Sequence, residues 1–170
     1  SEAMGYFRED QVRAGDQNKI AQIGLMVSVR AKESPERALL FVDQIQRSPV
    51  ANDFLKSKAA QWSSDLKNWQ KEFSTPLKSD QKLIETARKL MASESDISGV
   101  KNLGAEVRHL RASTLMHRLL AEYPNSDYTA EALFLIGNSY DVMGDLGYWN
   151  LGETYFEACI NKAPHTQQAE

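Results

Sequence analysis

Glu106 and His109 have the residue types and the spacing that metal chemistry uses. They form an E-x-x-H pair, which places a carboxylate and an imidazole on one face of a helix, as in di-iron bundles. Such a centre needs a second E-x-x-H and two further glutamates, and the sequence contains no second copy. We therefore predict no metal site, and we interpret His117, on the same stripe as Leu110, as a packed residue rather than a ligand.

Cys159 is the only cysteine, which excludes an internal disulfide and a cysteine-rich zinc site. The sequence places no histidine to activate it, so we predict a buried and inert thiol. The chain contains no G-x-S-x-G, Walker, H-E-x-x-H or glycine-rich phosphate-binding motif. We therefore expect no catalytic residues, no cofactor and no enzymatic activity.

The composition favours a folded chain with an uneven charge. Of its 170 residues 42% are apolar, and the longest uncharged run, Ile20 to Val29, is too short to cross a bilayer, which takes about 20 residues. Residues 121–170 hold eight acidic side chains and one lysine, whereas residues 1–120 hold 19 basic and 15 acidic ones. The acidic third argues against nucleic-acid binding and permits a basic protein partner; a solvated face kept for solubility is the alternative.

Helical periodicity accounts for most of the chain, and turn residues separate the periods. We expect about seven helices joined by short loops, and hence antiparallel hairpins in a bundle or a solenoid. The predicted helices cover about 18–32, 34–47 with Ser34 as the N-cap, 50–73, one marked by residues 83–91 that ends near ASESD (92–96), 97–122, 127–143 and 147–162. The first has a stripe of Ile20, Ile23, Gly24, Val27 and Ala31; the third has a regular seam that we interpret as core, from Leu55 through Trp62 and Trp69 to Phe73.

Gly137 lies in the middle of the amphipathic stretch EALFLIGNSYDVMGD. A glycine inside a helix costs about 1 kcal/mol relative to alanine, so its presence needs a reason. We predict that the missing side chain lets a second helix approach closely.

The segment LFLIGNSYDVMGD…YFEACINKAP resembles the tetratricopeptide-repeat family. Its first helix carries Leu133, Ile136, Gly137 and Tyr140, a Gly144-Asp145 turn follows, and its second helix carries Gly152, Phe156 and Cys159 before Pro164. Gly147 to Trp149 look like three extra residues in the turn. A degenerate second-helix signature precedes this segment at Ala112, Met116, Leu119 and Pro124, with the same spacings of four, three and five.

The resemblance implies an all-α fold of antiparallel hairpins stacked as a right-handed solenoid. Residues 1–96 would be divergent repeats or a bundle, and residues 97–170 a repeat module that continues past Glu170 or is capped by the last residues. A finer similarity to tetratricopeptide proteins of the bacterial envelope slightly favours the periplasm or cell envelope over the cytoplasm.

The resemblance also implies a ligand-binding concave face on the first helix, at Phe134, Asn138, Asp141 and Val142. Phe134 stands where a carboxylate clamp would need a lysine, so we expect a basic or apolar peptide instead, steered by Glu131 and Asp141. Trp149, in the long turn, would pack on a neighbouring hairpin or add to the contact patch.

The sequence therefore predicts a non-enzymatic protein-interaction scaffold that binds a peptide or helix, without nucleic acid or direct membrane insertion. Two alternatives are a helical accessory domain of a larger enzyme, such as a cell-wall lytic enzyme, and a self-assembling repeat module.

Overall fold

The computed structural model describes residues 14–30, 35–72, 77–92, 105–143 and 151–164. Within these ranges all regular structure is α-helical, which confirms the all-α prediction, and no helix is both long and apolar enough to cross a bilayer. The seven described helices are α1 (Ala14–Arg30), α2 (Pro35–Arg47), α3 (Asp53–Glu72), α4 (Asp80–Ala92), α5 (Glu106–Glu122), α6 (Thr129–Val142) and α7 (Leu151–Lys162). The right-handed solenoid stays a prediction.

Helix ends agree with the sequence where the stop signals are strong. Helix α2 begins at Pro35, as expected for a proline in the first turn, and ends at Arg47, ahead of Pro49. Helix α3 begins three residues later than predicted because Asn52 caps it: the Asn52 Oδ1 atom accepts the Leu55 N–H at 2.8 Å. The predicted cap Ser34 lies outside the described residues.

Contacts divide the chain into two compact units, which are described separately below. The N-terminal unit contains Ser1–Thr75 and Gly99–Val107, and the C-terminal unit contains Pro76–Ser98 and Arg108–Glu170. Helix α4 therefore groups with the C-terminal helices, whereas the sequence-based division ran between residues 96 and 97. The repeat assignment on which that division rests stays a prediction.

Helix α3 supplies the main seam of the N-terminal core. Its predicted seam residues Leu55, Ala59, Trp62 and Leu66 are fully buried, and Trp69 is nearly so, which confirms the core interpretation; Phe73 lies outside the described residues. Helix α2 packs against both α1 and α3, and it buries Ala38, Val42 and Ile45.

The predicted stripe of α1 is partly wrong. Gly24 is buried as expected, but Ile23 and Val27 are 42% and 56% exposed. The buried apolar residues lie mainly on a different side of the helix: Ala21, Leu25, Met26 and Val29. Because α1 is apolar on most sides, periodicity could not choose between its faces.

Gly24 lies directly under an aromatic ring. A Cβ atom built on Gly24 would collide with the ring of Phe41 on α2. Only a residue without a side chain lets the ring sit there, so this glycine is a packing position within the α1–α2 hairpin.

The C-terminal unit repeats that contact in the hairpin of α6 and α7. A Cβ atom on Gly137 would lie 2.5 Å from Cε1 of Phe156, and one on Gly152 would lie 3.2 Å from the Gly137 carbonyl oxygen. Two glycines thus bring the helix backbones together, and Phe156 covers the first of them. The prediction that Gly137 admits a second helix is confirmed.

Within the C-terminal unit, side-chain hydrogen bonds connect α4 and the residues just before it to α5 and to the start of α6. The Ser126 hydroxyl, just before α6, donates to Asp80 Oδ2 at the start of α4 at 2.7 Å. Arg118, near the end of α5, donates from Nη2 to the Leu77 carbonyl oxygen at 3.0 Å. These contacts put the beginnings of α4 and α6 close to each other, with the end of α5 beside the residues that lead into α4.

Candidate partner-binding face

Four of the predicted binding residues lie along one side of α6. Glu131 stands in the first turn, Phe134 and Asn138 are half-buried, and Asp141 is exposed near the helix end. Spacings of three, four and three residues keep these side chains on one helix face. The fifth, Trp149, lies outside the described residues.

Phe134 is anchored on the neighbouring helix. Its ring centroid lies 5.8 Å from that of Phe156 on α7, with the two ring planes inclined by 50°. This tilted geometry is favourable for aromatic pairs, and Phe156 is itself fixed over Gly137. Phe134 therefore offers part of a half-buried ring that is already packed on Phe156, so little side-chain entropy is lost when a ligand covers it.

Glu131 is bound to an arginine of α4. Arg88 donates from Nε and Nη2 to the two carboxylate oxygens of Glu131, both at 2.6 Å, and its guanidinium lies 5.7 Å from the ring centroid of Tyr128. The hydrogen bond to Glu131 is the main cause that raises the pKa of Arg88. Because the pair is bidentate and mutually neutralised, Asp141 is the more available carboxylate for a basic ligand.

Arg88 is a residue that sequence reasoning missed. It lies 43 positions before Glu131, on another helix, and no motif connects the two. Residues 121–170 contain one lysine and no arginine, but the fold brings the Arg88 guanidinium to Glu131 from outside that range.

An aromatic group lies on the other side of α6 and joins it to α5 and α7. The rings of Tyr140 and Tyr155 stack with centroids 5.5 Å apart, and the His117 ring meets Tyr155 edge-on at 5.6 Å. The Tyr140 hydroxyl lies 3.5 Å from His117 Nε2. These contacts confirm the interpretation of His117 as a packed residue.

Cys159 on α7 is fully buried, as predicted. Burial raises the pKa of its thiol, and a smaller opposing effect comes from a backbone hydrogen bond at Phe134. The thiolate is the reactive form of cysteine, so a raised pKa makes this residue a poor nucleophile.

The N-terminal unit contains a buried polar cluster around Glu106, the first residue of α5. Gln22 on α1 donates to Oε1 at 2.6 Å, and the Trp62 indole N–H on α3 donates to Oε2 at 2.9 Å. The Lys58 ammonium forms an ion pair with the same carboxylate and donates to Asn18 Oδ1 at 3.1 Å. One carboxylate thus ties the start of α5 to both α1 and α3.

These three donors determine the ionisation state of Glu106. Burial by itself would raise the pKa of its carboxyl, but the hydrogen bond and charge of Lys58, with the hydrogen bonds from Trp62 and Gln22, outweigh burial and lower the pKa. Glu106 is therefore an ionised structural residue, already used by three donors. Among the described residues no group of three or more His, Cys, Asp or Glu side chains is placed to hold a metal ion.

A signal for this cluster exists in the sequence. Lys58 follows Leu55 by three residues and precedes Trp62 by four, which puts a cation on the buried side of α3. A buried cation needs an anionic partner, yet nothing in the sequence identifies Glu106 as that partner.

The observed features define an all-α protein in which one helical hairpin of each unit packs its two helices through a close glycine–phenylalanine contact. No family model, no curated protein and no solved structure matches the chain.

Proposed function

We propose that this protein is a non-enzymatic scaffold of tetratricopeptide-like hairpins that binds a segment of a partner protein on the α6 face of Glu131, Phe134, Asn138 and Asp141. The observation that carries the proposal is the close approach of Gly152 to the Gly137 carbonyl oxygen, with the Phe156 ring packed against Gly137. The residues in that contact are those that carry the sequence resemblance, so fold geometry and signature support the same hairpin type.

The partner segment is basic or apolar. Phe134 provides an aromatic contact held by Phe156, and the exposed carboxylate of Asp141 is followed by Val142, which is 56% exposed. The Arg88–Glu131 pair contributes little net charge at the start of the helix. A cationic side chain beside Asp141, together with an apolar one on Phe134, would fit this surface, and the acidic character of residues 121–170 would increase the rate of encounter.

The setting that we favour is the bacterial cell envelope, on the sequence resemblance alone. The scaffold would present its rigid hairpins to one protein of a larger assembly and leave any chemistry to that partner.

Phe134→Ala tests the proposed face. A panel of short peptides that combine lysine or arginine with apolar residues is titrated against the protein by fluorescence anisotropy. We expect the variant to bind its best peptide at least about tenfold more weakly, because aromatic anchors dominate binding energy at interfaces.

Phe54→Ala is the matched control, since Phe54 is an exposed phenylalanine on α3 of the other unit. It should bind as the wild type does, and circular dichroism should show both variants folded. Equal affinity of Phe134→Ala and wild type for every peptide that binds would refute the choice of face.

A further inference from the structure

The α6 face carries two anchors for a ligand, Phe134 and Asp141, and both contact helix α7. Phe134 is packed on Phe156, whereas the Asp141 backbone lies against Gly152. A Cβ atom on Gly152 would be 3.4 Å from the Asp141 nitrogen and 3.7 Å from its Cβ atom. Seven residues of α-helix separate the two anchors by about 10.5 Å and return to nearly the same side of the helix.

Asp141 is the carboxylate of this face that best fits a cation of the ligand. Glu131 already accepts hydrogen bonds from Nε and Nη2 of Arg88, at 2.6 Å each. Asp141 is exposed, and its carboxylate forms no ion pair with any described residue. Charge complementarity therefore places a lysine or arginine of the ligand at Asp141 and an apolar side chain at Phe134.

Asn138 lies between the two anchors and can bond the main chain of a ligand. Its side-chain amide is half-buried and makes no hydrogen bond within the described part of the chain. A ligand that covers this amide without bonding to it weakens binding, because the amide loses its water. A helical ligand uses its own main-chain groups internally, whereas an extended ligand presents free N–H and C=O groups to Asn138.

Side-chain geometry distinguishes two kinds of extended ligand. In a β-strand the side chains of one face repeat every two residues, so the separations nearest to that of the anchors are about 6.6 Å and about 13 Å. In a polyproline II helix, side chains three residues apart lie on one face and about 9.3 Å apart. This separation comes within about 1 Å of that between Phe134 and Asp141, a difference that a flexible lysine or arginine side chain spans.

We propose that the ligand of this face is a polyproline II segment with an apolar residue and a lysine or arginine three positions apart. The apolar side chain packs on Phe134, the cation lies at Asp141, and the main chain bonds to Asn138. Proline presets the backbone of such a segment, so little conformational entropy is lost on binding. This inference rests on the proposed function, and it adds the conformation of the partner segment and the spacing of its side chains.

A series of acetylated and amidated peptides tests the spacing. Each peptide carries one leucine and one lysine, separated by one to five positions and in both orders, in a proline host that holds the polyproline II conformation. Fluorescence anisotropy measures the affinities. Peptides with a separation of three should bind at least about fivefold more tightly than those with a separation of two or four.

Asp141→Asn should remove the preference for a separation of three, because it removes the charge that the lysine meets. Replacing the peptide lysine by norleucine should do the same, and both changes together should weaken binding no more than either one alone. Asn138→Ala should weaken the best peptide about fivefold through the lost hydrogen bond.

Asp53→Asn, at an exposed carboxylate on α3 of the other unit, is the matched control. It should bind every peptide as the wild type does, and circular dichroism should show all variants folded. A preference for a separation of three that survives in Asp141→Asn would contradict the assignment of the cation to Asp141 and overturn the proposal.

The peptide series also distinguishes this inference from the proposed function. Equal affinity at every separation, with Phe134→Ala still weakening binding, would leave the binding face intact and overturn the polyproline II ligand. Binding of flexible peptides but of none in the proline series would do the same. So would tighter binding of an alanine-rich helical peptide whose leucine and lysine are seven positions apart, the spacing at which a helix matches the two anchors.

Discussion

Helices α1 and α6 share a glycine covered by a phenylalanine, yet they bury opposite sides. In α6, Ile136 and Tyr140 are buried, whereas Asp141 is exposed and Phe134 is half-buried. In α1 the positions that correspond to Ile136 and Tyr140, which are Ile23 and Val27, are exposed. A close glycine contact therefore sets which two helices pair, but it does not decide which remaining side of the first helix faces the core.

In each unit, a contact with a helix outside the hairpin determines which side of the first helix is buried. In the N-terminal unit the Glu106 carboxylate holds Gln22, which draws the adjoining side of α1 towards α3 and the start of α5. In the C-terminal unit the Tyr140 hydroxyl lies 3.5 Å from His117 Nε2 of α5, and this contact lies on the buried Tyr140 side of α6. A buried carboxylate in one unit and a tyrosine–histidine contact in the other thus accompany the burial of different faces.

Lys58→Met should have the largest effect, and it acts on the N-terminal unit. It leaves the buried Glu106 carboxylate without its cation, and breaking a buried ion pair in this way costs about 3–5 kcal/mol. Urea unfolding followed by circular dichroism measures the change. Lys67→Met, at an exposed lysine of the same helix, should change stability by no more than about 0.5 kcal/mol.

The double variant Lys58→Met with Glu106→Leu tests whether the loss of stability comes from the unpaired charge. Removing both charges together avoids a buried unpaired charge, so the double variant should be more stable than Lys58→Met alone. A double variant that is as unstable as the single one would show that side-chain packing, and not charge, accounts for the contribution of Lys58 and Glu106 to stability.

Gly137→Leu should destabilise the C-terminal hairpin by about 1–3 kcal/mol through overpacking against Phe156, although leucine by itself is a better helix former than glycine. Gly24→Leu should behave similarly against Phe41. The thermal midpoint measures both effects. In a Phe156→Ala background the cost of Gly137→Leu should fall; an unchanged cost would place the conflict elsewhere than at the ring.

The stability of the N-terminal unit should depend on pH through Glu106. Because the pKa of this carboxyl is lowered in the folded chain, its contribution is fully present above the ordinary unfolded value, about 4.3, and is lost as pH falls through the lower folded value. The difference in unfolding free energy between wild type and Glu106→Gln should therefore shrink as pH falls below about 4.3. A difference that stays constant down to pH 3 would contradict an ionised Glu106.

Arg88→Gln should have the smallest effect on stability, at most about 1 kcal/mol, because Arg88 is half-exposed and its pair with Glu131 is screened by solvent. It removes the cation that neutralises Glu131, so binding of a basic peptide should strengthen a few-fold at low salt. Weaker binding in this variant would instead assign Arg88 itself to the recognition surface.

Local signals in the sequence predict much of this fold. Pro49 marks the end of α2, the four-three spacing of Leu55, Ala59 and Trp62 marks a buried seam, and Gly137 marks a close helix contact. Each of these depends on short-range geometry, which residue types within one or two helical turns determine.

The failures involve contacts between distant segments. Periodicity assigned Ile23 and Val27 to the core because α1 is apolar on several sides, and only its neighbours decide which side they cover. Similarly, the sequence could not predict that Glu131 pairs with Arg88, because Arg88 lies on another helix. No local pattern contains that information, since it arises when the helices pack.

The burial of Cys159 has a consequence for the motions of the protein. This thiol is the only one in the chain and lies in the hairpin that Gly137 and Gly152 draw together. A thiol reagent added to the folded protein can react only after that hairpin opens, so the labelling rate reports the free energy of local opening. The chain thus contains its own probe of whether α6 and α7 separate alone or only when the whole protein unfolds.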